Sequence, residues 1–273
     1  MKKSLFEGMV MLITLAALAV TAPTLAADGD RPAGASAKAA SAPPSGSSSY
    51  SWTGFYLGGN IGGGIGNADT RFAPLPDPVT FINLKPTTLS PNPRGVVGGM
   101  QFGANKQLGR FVLGIETDFS GSGMDGSARV SPIIQNDGTP FPGAGFLIAQ
   151  QSTNWFGTVR PRVGLTVVPR LLFYATGGLA FGHVQYSANT DFLPPGTEQY
   201  VANFDKTKTG WVAGGGAEYA WGRRWILGGE YLFYDLGNQR FTASPAPPLP
   251  PFQVAYTWKT TAHIIRARLS FRF

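Results

Sequence analysis

His263-Ile264-Ile265-Arg266-Ala267-Arg268-Leu269-Ser270-Phe271-Arg272-Phe273 reads differently on its two faces. Taken every second residue, Ile265, Ala267, Leu269, Phe271 and Phe273 form one face, and Arg266, Arg268, Ser270 and Arg272 the other. A period of two is a strand with an oily side and an ionic side. A soluble sandwich would bury the oily side and leave the arginines in water. No polar tail follows Phe273 to cover that side, so the segment is expected to be one strand of a closed sheet whose remaining strands lie upstream.

The composition suits that reading. Among 273 residues there are 37 glycines and 22 prolines, and only 14% of the residues are charged. Glycine in apolar surroundings suits closely packed strands, and clustered proline suits long loops. There is no cysteine, which excludes a disulfide framework and a thiolate metal site. The formal charge of +7 is scattered along the chain without a basic block, so no nucleic-acid partner is expected.

At the start, Lys2 and Lys3 precede an apolar run from Met9 to Val20, followed by small residues at Ala26 and Ala27. That order predicts a cleaved signal peptide over residues 1–27, since the run is too short for a membrane-spanning helix. Residues 28–51, rich in Ala, Ser, Gly and Pro, are expected to form a flexible periplasmic linker. The folded unit is expected over 52–273.

Within it, period-two segments place strands near 53–66, 94–106, 111–122, 152–167, 171–186, 208–220, 225–237 and 259–273. The connections after the second, fourth and sixth strands are short (107–110, 168–170 and 221–224). The others are long and hold most of the prolines. An even number of strands with short turns on one side and long loops on the other predicts an all-β fold, an eight-stranded antiparallel up-and-down transmembrane β-barrel. Both termini then fall on the short-turn, periplasmic side.

In this register the outward face carries Phe55, Leu57 and Ile61, then Phe111, Leu113 and Ile115, then Leu179, Phe181 and Leu227, and no charge. The opposite parity collects Glu116, Asp118, Arg160, Arg162, Glu218, Glu230, Arg266 and Arg268. Four acids face four bases, so the eight are expected to form a neutral ionic layer in the lumen, with Glu116 near Arg162 and Glu230 near Arg268. Tyr56, Gln101 and Tyr234 add to the filling. A glycosidase-like use of two of these acids needs room for a sugar, and eight strands enclose only enough space for side chains. Phe111, Trp221, Trp225 and Phe273 at the short-turn end, and Trp155, Trp211 and Trp258 towards the long loops, are expected to form two interfacial girdles. Lys106, Arg110, Arg170, Arg223 and Arg224 on the short turns suit anionic inner-leaflet headgroups.

A terminal phenylalanine with apolar residues two, four, six and eight places before it resembles the closing strand of Gram-negative outer-membrane barrels. The segments Trp52-Thr53-Gly54-Phe55-Tyr56-Leu57-Gly58-Gly59, Phe173 to Gly182, Gly210 to Ala220, Glu230 to Gly237 and Phe271-Arg272-Phe273 resemble, in order, the outer-membrane immunogenic-protein family of small porin-like barrels. The resemblance covers 52–273. It implies an outer-membrane location, a surface-antigen or envelope role, and recognition of the C-terminal strand (Ile265, Ala267, Leu269, Phe271, Phe273) by the barrel-assembly machinery. Pro161, where the family usually has a small residue such as glycine, is a departure; a bulge or local distortion is expected there.

Other motifs lead nowhere. Gly121-Ser122-Gly123-Met124-Asp125-Gly126 matches a dinucleotide fingerprint but no helix follows to receive phosphates. The only histidines, His183 and His263, fall near the long-loop rim on non-adjacent strands and do not suggest a shared metal or haem. A lipid hydrolase using His263 with Thr260 or Thr261 is the weakest reading. The chain is therefore expected to have no catalytic residue, cofactor or metal. It is expected to be an envelope barrel with a filled lumen, in contact with outer-membrane lipid and with surface loops open to an external ligand. A narrow diffusion pore is the alternative, and an adhesin or receptor the next.

Overall fold

The computed structural model describes residues 50–75, 86–134, 138–140, 145–191, 199–246 and 253–273. The expected signal peptide, and the linker apart from residues 50 and 51, lie outside the described residues. The described elements are strands: β1 (Gly54–Asn67), β2 (Thr70–Leu75), β3 (Thr88–Leu89), β4 (Arg94–Leu108), β5 (Phe111–Val130), β6 (Phe146–Val168), β7 (Leu171–Asp191), β8 (Gln199–Trp221), β9 (Trp225–Ala243), β10 (Pro245–Ala246) and β11 (Gln253–Arg272).

The long strands pair antiparallel in the order β1-β4-β5-β6-β7-β8-β9-β11. Strand β11 then returns to β1, from Tyr56↔Arg272 to Asn67↔Thr261, and closes the sheet. Beyond a break at Ala68-Asp69, β2 continues the line of β1 along β11, from Trp258↔Thr70 to Gln253↔Leu75. Strands β1 and β2 thus form one stave of an eight-stave barrel. The short connections are Gly109-Arg110, Pro169-Arg170 and Gly222-Arg223-Arg224. Gly109 and Gly222 sit at φ 62° and 74°, a left-handed conformation that glycine adopts without a steric penalty.

Sequence periodicity and observed burial agree through the lower part of each stave. Phe55, Ile61, Leu179 and Ile265 are 58%, 65%, 67% and 70% exposed, while Tyr56, Leu172 and Arg266 are buried. An apolar outside of this kind is stable against hydrocarbon and not against water.

The strands are longer than expected. A membrane crossing takes about 9–11 strand residues, yet β6 and β8 each have 23 and β7 has 21. The excess lies at the long-loop end, and β7 shows why it was missed. Outward positions run Phe173, Leu179, Phe181 and then His183, Gln185, Ser187, Asn189. Inward positions in the second half are Val184, Tyr186 and Ala188, all buried. The alternation persists but its polarity inverts: oily outside below, oily inside above. A search for lipid-type strands stops at the inversion.

Pro161 produces no bulge. The β6–β7 ladder skips Arg160 and Pro161 and resumes at Arg162↔Thr176 in the register it had at Val159↔Leu179. Its ladder to β5, Ile115↔Pro161, is intact. The missing proline N–H therefore faces β7, opposite Gly177 and Gly178, and Thr176 Oγ1 still donates to the Pro161 carbonyl at 2.9 Å. Register shifts fall elsewhere: at Gly121/Met124 on β5–β6, at Thr153/Trp155 and Thr166/Val168 on β6–β7, and at β9–β11, where Leu236 and Gly237 stand opposite Thr260. Gly237 at φ 72° is the left-handed residue of that bulge.

Ile61 lies mid-stave, paired with Ala267 and Gly98. Ile61→Arg is expected to lower folding stability in lipid vesicles by about 2–4 kcal/mol, read from a urea titration. The same change at the upper, exposed Gln185 is expected to be close to neutral.

Candidate functional site

The inward face of the lower barrel holds the eight expected ions, each between 0% and 4% exposed. They come from β5, β6, β8, β9 and β11, whose inward parity the pleat dictates. Directly opposed pairs are Glu116↔Arg160 and Glu230↔Arg266. Arg160 Nη2 donates to Glu116 Oε1 at 2.7 Å and Arg266 Nε to Glu230 Oε2 at 2.7 Å. The contacts expected from strand height, Glu116 with Arg162 (3.2 Å) and Glu230 with Arg268 (2.9 Å), are made as well, as diagonals offset by two residues.

Contacts across the lumen, which strand heights alone do not predict, tie these pairs together. Arg268 also donates to Glu116, and Arg160 Nη1 to Glu230 at 3.1 Å. Asp118 accepts from Arg160 and Arg266, each at 2.9 Å. Arg162 forks onto Glu218 with bonds of 3.0 and 2.5 Å, the bidentate geometry that guanidinium and carboxylate favour. Tyr56 donates to Glu116 at 2.5 Å and Tyr174 to Glu230 at 2.8 Å. Inward glycines make room for these side chains. A Cβ on Gly216 would lie 2.7 Å from the Tyr174 hydroxyl.

Beside this layer, where Asn60 pairs with Arg268 and Gln101 with Asp118, Asn60 donates to Gln101 at 2.8 Å and Gln101 to Ser270 at 3.1 Å. Tyr234 follows, buried against Phe156 at 5.7 Å between ring centres. Below the layer the mouth is filled by a residue that the sequence reading did not place in the lumen. Trp52 is 1% exposed and packs with Val112, Leu172, Ala220 and Ile226. Its Nε1 donates across the barrel to the Pro169 carbonyl at 3.2 Å, and Tyr50 meets it edge-on. Trp52 shares the even parity of Tyr56, which is the signal that would have found it.

Of the expected girdles, Phe111, Trp221, Trp225 and Phe273 point outward at the short-turn end, 46–72% exposed. At the other end Trp211 is 51% exposed, and Trp155 lies against Phe119, Phe181 and His183. Trp258 is a correction. It is fully buried in the upper barrel against Tyr186, Phe204 and Tyr256, because β11 continues past the girdle and Trp258 keeps the inward parity of Ile264 and Arg266. On the closing strand Ile265, Leu269 and Phe273 are exposed outward, Phe271 packs on Trp225, and Ala267 pairs with Ile61 and Gly229.

The histidines occupy the outer face. His183 Nε2 is 3.4 Å from Asp205, and His263 Nδ1 is 2.7 Å from the Tyr231 hydroxyl. Thr260 is buried on the opposite face, where its hydroxyl meets Tyr186 at 2.8 Å. A hydrolase pairing of His263 with Thr260 is thereby excluded. The Gly121–Gly126 motif lies inside β5, without a helix.

A closed antiparallel sheet with an oily belt and an ion-filled interior defines a transmembrane β-barrel. The chain belongs to the outer membrane protein beta-barrel domain family, whose model matches residues 12–273. Among its relatives, the 31 kDa outer-membrane immunogenic protein of Brucella melitensis biotype 1 is 36% identical over 225 residues, covering 82% of this chain and 85% of the relative. A 22 kDa outer membrane protein of Rhizobium leguminosarum bv. viciae is 30% identical over 168 residues, 62% of this chain and 56% of that one. Among solved structures, the outer membrane protein OprG of Pseudomonas aeruginosa covers 81% of this chain and 97% of its own, at 8% identity and a TM-score of 0.45. Neisserial surface protein A covers 81% and 98%, at 10% and 0.35. This is an outer-membrane β-barrel protein.

Removing one member of a buried ion pair leaves its partners uncompensated, at a cost of about 3–5 kcal/mol. Arg268→Ala, which strips a cation from both Glu116 and Glu230, is expected to lower the unfolding temperature in detergent clearly. Arg170→Ala on a short turn serves as the control and is expected to leave it unchanged.

Proposed function

We propose that the protein is a non-enzymatic envelope barrel whose filled lumen carries no solute flow and whose long-loop end is displayed at the cell surface. The observation that carries this reading is the occupation of the lumen at successive heights. Trp52 stands at the inner mouth, the eight ions and two tyrosines above it, then Tyr234 with Phe156, then the aromatic group around Trp258. An interior so filled leaves side chains where a solute would pass. Cross-strand and cross-lumen ion pairs make the filling rigid, so that no single rotamer change clears it. The Brucella relative's name as an outer-membrane immunogenic protein supports display at the surface.

Residues 1–27 serve as the signal peptide and 28–51 as the periplasmic linker in this reading. The outward row of the closing strand, Ile265 to Phe273, is what the barrel-assembly machinery engages. The ionic layer acts as a structural element and the girdle aromatics as anchors at the two interfaces.

The test is single-channel recording of residues 28–273, refolded into a planar bilayer. The expected record is silent or shows rare small flickers. Trp52→Ala alone is expected to stay silent, because the ionic layer still blocks the path above it. Steady large openings of the unmodified protein would replace this reading with that of a diffusion pore.

A further inference from the structure

On the outer surface of the upper barrel, three exposed cations fall close together on adjacent staves. Thr257 on β11 pairs with Arg71 of β2 on one side and with Arg240 of β9 on the other. Paired residues share a face of the sheet, and Tyr256, one position along, is buried inside with Phe72 against it. Arg71, Thr257 and Arg240 therefore form one outward row. With strands about 4.8 Å apart, the two arginine backbones are roughly 10 Å from each other. Lys259 lies two residues along β11 on the same face, about 7 Å nearer the membrane. All three cations are exposed, and none forms an ion pair with a described residue.

The surroundings sharpen the picture. Two acids on this face make other contacts and no ion pair with the three cations: Asp69 accepts from Ser90 at 2.6 Å, and Asp235 accepts from the Gly237 amide at 2.6 Å. Around the other side of the barrel, the outward positions at this height are Gln185, Ser187 and Asn189 on β7, and Asn203, Asp205 and Thr207 on β8. The exposed cations elsewhere on the upper staves are each set apart: Arg129 lies over the Phe146 ring, Arg94 stands opposite Asp125, and Lys206 follows Asp205 in β8. Height fixes the environment of the cluster. Trp211, of the outer girdle, is level with Asp235 and Thr261, and Lys259 is the next outward residue of β11 beyond Thr261. The cluster begins where the hydrocarbon ends, at the depth of headgroups.

Three unpaired cations on adjacent staves repel one another, and an anion at this depth would relieve that repulsion. We infer that Arg71, Arg240 and Lys259 form a seat for the phosphate groups of an anionic lipid in the outer leaflet. The inference rests on the membrane placement of the barrel and not on whether its lumen conducts. It gives the barrel a front, with lipid phosphate ordered along β9, β11 and β2.

The experiment is thermal unfolding of the refolded protein in neutral detergent, titrated with rough-type lipopolysaccharide or with the same glycolipid after enzymatic removal of its phosphates. A ligand that binds the folded state raises the unfolding temperature. The unmodified protein is expected to gain stability with the phosphorylated lipid and little with the dephosphorylated one. The variant Arg71→Gln/Arg240→Gln/Lys259→Gln is expected to melt as the parent does without lipid, and to bind the phosphorylated form on the order of a hundredfold more weakly. The charge-matched variant Arg110→Gln/Arg170→Gln/Arg223→Gln, on the short turns, is expected to keep the full gain. An equal gain for the cluster variant, an equal gain with dephosphorylated lipid, an equal loss in the short-turn variant, or no gain for the parent would each overturn the inference. Conductance of the parent, measured separately, tells failure of this inference from failure of the filled-lumen reading.

Discussion

Hydrocarbon offers no hydrogen bonds, so every backbone N–H and C=O at membrane depth must find its partner within the protein. For a chain of strands this means that the last must pair with the first. Strand β11 does so, holding β9 along one edge and β1 along the other. Once that seam is made there is no free edge, and the pleat fixes which side chain of each residue pair meets lipid. The oily belt, the ionic interior and the inward place of Trp52 all follow from closure plus parity. The segment His263 to Phe273 is informative because it belongs to the strand that bears the seam.

Closure also explains why Pro161 is tolerated. A proline in a closed sheet removes one donor that nothing else can replace. Here the lost donor faces β7, where two glycines, Gly177 and Gly178, stand opposite, and the register is the same on both sides of the gap. Of the two expected outcomes, a bulge or a local distortion, the sheet adds no residue and yields only by the gap in the β6–β7 ladder at Arg160 and Pro161. With its ladder to β5 unbroken at Pro161, β6 keeps one register to β7 across the gap.

Legibility followed the solvent. In the membrane both faces of each strand carry a signal, apolar out and ionic in, so the lower staves and all eight lumenal ions could be read from parity. Outside the membrane the signal reverses. Gln185, Ser187 and Asn189 face out while Tyr186 and Ala188 face in, a pattern that resembles a polar loop unless the frame is carried across the girdle. The extensions of β5 to β9 and β11, and the burial of Trp258, escape a reading by polarity for that reason. The cross-lumen contacts, such as Arg268 with Glu116, were not legible at all. They depend on strand tilt and on which inward glycines leave space, and neither is a property of a single strand.

The ionic layer answers a question that closure raises. Buried ion pairs seldom add net stability over a well-packed apolar filling, so stability alone is a poor reason for eight charges inside. Register is a better one. With an apolar lumen and an apolar exterior, each stave would be oily on both faces, and a slip of one residue would exchange the faces at little cost. With Glu116, Arg160, Glu230 and Arg266 on the inner face, the same slip drives charge into lipid at about 2–4 kcal/mol for each arginine at the midplane. Several such penalties fall at once, since the eight ions are spread over five strands. The interior that fills the barrel is therefore also what prevents it from assembling in the wrong frame. Above the girdle the task passes to the aromatic core, where water outside imposes the opposite polarity.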